Sequence, residues 1–186
     1  MGDAFRRLFL SIGVALGLAS GQSDPSLYAR LDQDSAAASD RLAVSARVEN
    51  AFAPGALELV ETGTAVALRF TARILAPAKD ELVFEETRAL RFDMRSGLYD
   101  VSFDGGRQAA LVDPEAARTL ASQLPSLELC PAAQAPEGTR VVVESRIGIL
   151  DARGEWHDAP VLWNYYVPRM VLERKSRPDI PPKGGR

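Results

Sequence analysis

Residues 64–75 read TAVALRFTARIL, and their pattern decides the fold class. Every second residue on one side is apolar: Val66, Leu68, Phe70, Ala72 and Ile74. The residues between them include Arg69, Thr71 and Arg73. Because successive side chains of a strand point to opposite faces, this period predicts a β-strand with one buried face.

The same period recurs on both sides of this strand. Residues 41–50 (RLAVSARVEN), 98–103 (LYDVSF) and 139–150 (TRVVVESRIGIL) all alternate in this way. Residues 81–94 also return as a strand, but Glu86 and Arg88 fall where the period requires apolar side chains. We therefore expect the middle of that strand to leave the core through a bulge. Arg69 and Arg73 with Arg88 and Arg91 would form a basic stripe if the registers agree, and a solvated face balanced by Glu85 and Glu86 is the favoured interpretation.

Turn and capping residues separate these strands. Pro54 opens a short helix that Gly63 closes, and Asp113, Pro114 and Glu115 begin a second helix. The DGG sequence at 104–106 is typical of a hairpin, because glycine adopts the positive φ of tight turns. Pro125 is expected to stop the second helix, with a short strand at 126–130.

This pattern predicts a mainly β protein, an antiparallel β-sandwich or partly open barrel of seven to nine strands with two short helices. We expect one β-rich domain at 41–175. Residues 22–40, rich in Ser, Asp and Ala, predict a flexible lead-in, and residues 176–186, with three Pro and two Gly, predict a disordered tail.

The first 21 residues have the pattern of a signal peptide. Arg6 and Arg7 precede an apolar run at 8–19, and small residues follow at 19–21. The run is too short to span a bilayer comfortably, since spanning takes about 20 apolar residues. We expect a periplasmic or secreted protein, with no stable membrane insertion after the signal is removed. The general secretory route is favoured over the twin-arginine route, although Arg6-Arg7 also fits the latter.

Charge and motifs exclude several function classes. Without residues 1–21 the chain keeps 20 basic and 24 acidic residues, so nucleic-acid binding is not expected. The sequence has no GxGxxG, GxxxxGK[ST], HExxH or GxSxG motif, and we expect no cofactor and no metal. Cys130 and His157 are each the single residue of their kind, and nothing local supports a thiol hydrolase. No catalytic residue is assigned.

The most unusual segment is VLWNYYVPRM at 161–170. Read as a strand between Pro160 and Pro168, it carries bulky side chains on both faces. One interpretation makes Trp163, Tyr165 and Tyr166 a partner-binding edge, because both residue types combine an apolar body with a polar group. The other, which we favour, has Trp163 closing the core and Tyr166 capping an open end of the sheets.

Three segments, ALELVETGTAVALRFTARI, RALRFDMRSGLYDVSFDGG and DPEAARTLASQL, carry a family resemblance. Their order of helix, amphipathic strand, strand pair and Ala-rich helix resembles a family of small exported Gram-negative bacterial proteins of unknown function, over about residues 42–129. The resemblance implies export and an intact domain but no activity or site residue.

We therefore expect an exported, non-enzymatic β-rich domain that binds an envelope protein or peptide. The alternative is an enzyme or small-ligand carrier with its site between the sheets.

Overall fold

The structure is a computed structural model, and it describes residues 24–32, 41–75, 82–104 and 106–174. The predicted signal peptide, residues 1–21, and the predicted tail, residues 176–186, lie outside the described residues.

Ten strands and two α-helices make up the described chain. The strands are β1 (Ser26–Asp32), β2 (Arg41–Glu49), β3 (Ala65–Leu75), β4 (Leu82–Asp93), β5 (Leu98–Phe103), β6 (Gly106–Leu111), β7 (Gln123–Pro131), β8 (Arg140–Leu150), β9 (Trp156–Asp158) and β10 (Arg169–Glu173). The helices are α1 (Pro54–Glu61) and α2 (Pro114–Ala121), with short 3-10 turns at Ala132–Gln134 and Pro160–Trp163.

The strands form two antiparallel sheets. The smaller has the order β1-β2-β7. The larger has seven strands in the order β10-β8-β3-β4-β5-β6, and β9 pairs with β8 beside this path. The prediction of a mainly β, sandwich-like antiparallel fold with two short helices is confirmed, and neither sheet closes into a barrel.

The segment at 64–75 lies at the centre of the larger sheet, between β4 and β8. Its predicted inner residues, Val66, Leu68, Phe70, Ala72 and Ile74, are all buried in the core. They pack together with Leu42, Val44, Val141 and Val143 from strands of both sheets. The core therefore lies between the two sheets, with apolar side chains of both converging on it.

The predicted bulge in β4 is wrong. Strand β4 pairs with β3 without a register shift from Leu82 to Leu90, so Glu86 and Arg88 keep the inward parity. Arg88 stands opposite the buried Leu68 and is only 2% exposed. Charged side chains remain in the sheet here because Arg88 has a carboxylate and an aromatic ring beside it.

That register also rules out the basic stripe. Arg69 and Arg91 lie on the outer face of the sheet, whereas Arg88 lies on the inner face. Glu85 lies on the outer face, where it accepts a hydrogen bond from Thr71, whereas Glu86 faces inward with Arg88.

The predicted lead-in at 22–40 contains a strand. Ser26–Asp32 forms β1 and pairs with β2 over its whole length. The alternation of Leu27, Ala29 and Leu31, which face inward, is the sequence signal for this strand. Pairing with β2 stabilises this strand, because every second residue pair exchanges ladder hydrogen bonds.

Strand β7 is longer than predicted and includes Pro125. The helix α2 ends at Ala121, before the proline is reached. The register between β2 and β7 shifts between Val44 and Ala46, opposite Pro125. Proline cannot donate a ladder hydrogen bond, so an edge strand with an irregular register accommodates it.

Both helices begin at the predicted residues and α1 also ends where predicted, but the prediction that Pro125 stops α2 is wrong. The Asp113 carboxylate accepts a hydrogen bond from the Glu115 N–H at 3.0 Å, and Pro114 follows as the first helical residue. Gly63 has φ +85° and ends α1. The described helices are eight residues each, and no helix of the described chain has the length and apolar content that crossing a membrane requires.

Candidate functional site

The segment predicted as an aromatic strand is a turn. Residues Pro160–Trp163 form a 3-10 turn, residues 164–168 form a loop, and strand pairing resumes only at Arg169. Leu162 and Trp163 are consecutive and both buried. A strand cannot bury consecutive side chains in one core, because its side chains alternate between faces. The strand prediction for 161–167 is therefore wrong.

Trp163 fixes this loop to the core. Its side chain is 2% exposed, and its indole N–H donates a hydrogen bond to the Ala51 carbonyl oxygen at 2.9 Å. Ala51 follows the end of β2, so this bond joins the loop to the connection between β2 and α1. Trp163 thus offers no side-chain surface to a partner, and its ring has the core-closing position of the favoured interpretation.

The two tyrosines are exposed. Tyr165 is 74% exposed and Tyr166 is 50% exposed, and the following Val167 is exposed as well. We call residues 164–167 the tyrosine loop. The structure therefore separates the three residues singled out in the sequence: it buries Trp163 and presents the two tyrosines to solvent.

The backbone of the tyrosine loop is strained at Tyr165. Four non-glycine residues in the described part of the chain have positive φ. Asn50, Asp104 and Asn164 are of the types that commonly adopt this conformation, whereas Tyr165, at φ +63°, is not. The strain is held by hydrogen bonds from the Tyr165 N–H to the Pro160 carbonyl and from the Tyr166 N–H to the Trp163 carbonyl, each 2.8 Å. Strained backbone of this kind concentrates at functional positions.

Buried charge forms a second feature, which the sequence analysis placed outside the core. Arg88 Nη2 donates to Glu86 Oε1 at 2.5 Å, and its guanidinium lies 3.8 Å from the centroid of the Phe103 ring. Burial lowers the pKa of Arg88, and the neighbouring Glu86 carboxylate opposes that shift. Arg88 Nε and Nη1 have no acceptor among the described residues. The signal for this site was the break in period at Glu86 and Arg88, which we had assigned to a bulge.

Cys130 and His157 lie on strands of different sheets. The Cys130 thiol is buried in the smaller sheet, where Cys130 pairs with Leu42. His157 lies on β9 of the larger sheet and is exposed, with Nε2 3.3 Å from Asp151 Oδ2.

Asp151, Glu155 and His157 do lie together, with their potential ligand atoms within 4.8 Å of one another. The turn before β9 explains this arrangement, since Asp151 accepts hydrogen bonds from the N–H groups of Arg153 and Glu155. The N–H of Glu155 and then that of Arg153 lower the pKa of the Asp151 carboxyl, and His157 adds to the effect. These hydrogen bonds give the cluster a role in the turn.

A groove of about 500 Å³ crosses the smaller sheet beside Tyr28, at the register shift near Pro125. Its two cations are already paired: Arg30 with Asp32 at 3.0 Å and Arg47 with Glu49 at 2.9 Å. The Arg47 guanidinium also lies 5.0 Å from the centroid of the Tyr28 ring. Both cations of the groove therefore already have carboxylate partners.

Of these features, the tyrosine loop combines exposed aromatic side chains, a rigid anchor and local strain. No family model, no curated protein and no solved structure matches the chain.

Proposed function

We propose that this protein is an exported, non-enzymatic β-rich domain that binds another envelope protein or a peptide through the tyrosine loop. The observation that carries the proposal is Tyr165, an exposed aromatic residue held at φ +63° next to a buried anchor. A strained, exposed tyrosine contributes nothing to the core, so its cost of about 1–3 kcal/mol is understandable if the side chain serves a partner.

The physics of tyrosine supports a binding role. A Tyr ring buries a large apolar area on contact, its hydroxyl retains a hydrogen bond, and it has few rotatable bonds to immobilise. The loop is also restrained before any partner arrives, because Trp163 is bonded to Ala51 and the loop backbone is bonded to residues 160–163. Such restraint lowers the entropy cost of binding.

The compartment belongs to the same proposal. The N-terminal pattern supports export, and fractionation followed by mass spectrometry of the N-terminus tests it. We expect the mature chain in the periplasm or the medium with its N-terminus near residue 22. A cytoplasmic pool that retains Met1 contradicts this part.

Site-specific photo-crosslinking in intact cells tests the binding role. A photoreactive phenylalanine analogue at Tyr166 is expected to give a discrete crosslinked protein or peptide. The same analogue at Met94, which is 71% exposed in the connection between β4 and β5, serves as the matched control. The proposal is overturned if both positions give the same products, or if Tyr165→Ser leaves the Tyr166 crosslink unchanged.

One observation favours the second candidate, a small-ligand carrier with its site between the sheets. Arg88 is nearly fully buried on the inner face, and two of its nitrogens have no acceptor in the described part of the chain. Buried polar groups nearly always have a partner, so a ligand with carboxylate or carbonyl oxygens would suit this position. Melting-temperature shifts with acetate and benzoate, in wild type and in Arg88→Met, test this candidate; an absence of any Arg88-dependent shift removes these small carboxylates as ligands.

A further inference from the structure

We propose that the partner of the tyrosine loop presents an acidic segment, and that Arg69, Arg146 and Arg169 receive its carboxylates. We call these three residues the arginine patch. This inference rests on the proposed function and specifies the chemistry of the partner.

Two residues of the patch stand directly opposite each other. Arg69 on β3 pairs with Arg146 on β8. Both lie on the outer face, because their chain neighbours Leu68, Phe70, Ser145 and Ile147 are buried on the inner one. Like charges directly opposite in a sheet repel and destabilise the pair. The fold therefore concentrates positive charge here at a cost to its own stability.

No carboxylate of the described chain lies within ion-pair distance of these three arginines. Arg169 stands opposite Glu144, but the Glu144 carboxylate lies 3.5 Å from the Arg73 guanidinium. By contrast, Arg91 on the same face is paired with Asp100 at 3.2 Å.

Arg69 is held in place by an aromatic ring. Its guanidinium carbon lies 4.2 Å from the centroid of the Trp156 ring. That ring in turn packs on Gly148, where an added Cβ would lie 2.5 Å from Trp156 Cζ2. An arginine stacked on a ring still presents its N–H groups at its edges, in the geometry that matches a carboxylate.

The arginine patch adjoins the tyrosine loop. Ser145 N–H donates to the Pro168 carbonyl oxygen at 3.1 Å, which continues the pairing that sets Arg169 opposite Glu144. Pro168 directly follows the tyrosine loop, and its bonding partner Ser145 is the chain neighbour of Arg146. A partner seated on the loop thus meets the patch.

The charge of the whole chain selects the class of partner. The formal net charge is −3, so extended polyanions such as nucleic acid or an anionic bilayer meet net repulsion. A short acidic protein segment contacts only the patch and the tyrosines. We therefore commit to an acidic peptide segment.

Fluorescence anisotropy with defined probes tests this inference. The probes are a short labelled peptide of Glu, Leu and Gly and its counterpart with Gln at every Glu. We expect the Glu peptide to bind the wild-type chain more tightly than the Gln peptide does. We also expect this binding to weaken as salt is added. Arg146→Gln combined with Arg169→Gln is expected to weaken binding about tenfold, since each exposed charge contact contributes modestly.

The matched control removes two other arginines, Arg47 and Arg91, which are ion-paired with Glu49 and Asp100. Arg47→Gln with Arg91→Gln makes the same change in net charge and should alter binding less than about twofold. Circular dichroism establishes that both double variants are folded.

The inference is overturned if the Glu peptide does not bind, if it binds no better than the Gln peptide, or if both double variants lose the same affinity. Equal binding of phosphatidylglycerol vesicles and of the Glu peptide also contradicts it, because the surface would then be a general anion binder. If the arginine-patch variant leaves the Tyr166 crosslink intact, the acidic-partner inference fails while the proposed function stands. If the wild-type loop gives no specific crosslink at Tyr166, the proposed function itself fails.

Discussion

The indole N–H of Trp163 donates a buried hydrogen bond to the carbonyl oxygen of Ala51, a residue 112 positions earlier in the chain. This contact ties the last turn of the domain to the end of its second strand. It also decides which aromatic residues of the segment at 161–170 remain available, because burial of Trp163 leaves the two tyrosines outside.

Replacing Trp163 is expected to destabilise the fold, and more strongly with alanine than with phenylalanine. Trp163→Ala removes a large buried side chain and should lower the free energy of unfolding by about 3–5 kcal/mol. Trp163→Phe keeps most of the apolar contact but leaves the Ala51 carbonyl without its donor, which should cost about 1–3 kcal/mol. Urea unfolding followed by circular dichroism measures both. Equal urea midpoints for Trp163→Ala and wild type would show that the Trp163 ring does not contribute to the core.

Relieving the strain at Tyr165 is expected to stabilise the protein. Asparagine tolerates positive φ better than tyrosine, so Tyr165→Asn should raise the free energy of unfolding by about 1 kcal/mol. Tyr166→Asn is the matched control, since Tyr166 is not among the residues with positive φ. We expect Tyr165→Asn to gain stability and lose the crosslinked partner together. A loss of stability in Tyr165→Asn, measured by thermal unfolding, would argue against strain at this position.

The Arg88–Glu86 pair is expected to respond asymmetrically to substitution. Glu86→Ala leaves a buried guanidinium without its carboxylate and should cost about 3–5 kcal/mol, because an uncompensated charge is expensive in the interior. Arg88→Met together with Glu86→Leu removes both charges and should change stability by less than about 2 kcal/mol in either direction. Chemical unfolding of the two variants under the same conditions makes the comparison. A double variant with a lower free energy of unfolding than Glu86→Ala would contradict this account.

Acidification is expected to weaken the turn before β9. The pKa of Asp151 is lowered below its ordinary value of 3.8, chiefly because the N–H groups of Glu155 and Arg153 donate to its carboxylate. A carboxyl group whose pKa is lower in the folded state stabilises the fold above its ordinary pKa. That contribution disappears as the pH falls through the folded-state pKa.

Thermal unfolding between about pH 7 and pH 2 measures this effect. Asp151→Asn lacks the titrating group, so the stability difference between wild type and variant should shrink on acidification. Asp93 also has a lowered pKa, chiefly through the Ser96 hydroxyl, but it is present in both proteins and cancels in the comparison. A difference that stays constant over the whole range would show that Asp151 does not titrate with folding.

Local patterns predicted the regular parts of this protein well. The inner residues of β3 were read directly from alternation, and the residues around Asp113 predicted the start of α2. The same rules failed at Glu86 and Arg88. The alternation pattern depends only on the polarity of each residue, and it contains no information about neighbours on adjacent strands. The Phe103 ring beside Arg88 comes from the next strand.

The candidate site was predicted only in part. The sequence singled out Trp163, Tyr165 and Tyr166 by composition, but it placed them on a strand. Such a segment forms a strand only if a neighbouring strand has a free edge to pair with. Here β9 and β10, which flank the segment in the chain, already occupy the edge of β8. The loop between them has no room to pair and turns inward instead.

The sequence by itself determined the alternation of the central strands and the start of both helices, because these depend on residues close together in the chain. The tertiary structure alone decided that residues 26–32 form a strand, that Arg88 faces the core, and that Arg69 meets Arg146. The physical reason is the same in each case. The free energy of a strand or a buried charge depends on what lies beside it, and those neighbours come from distant parts of the chain.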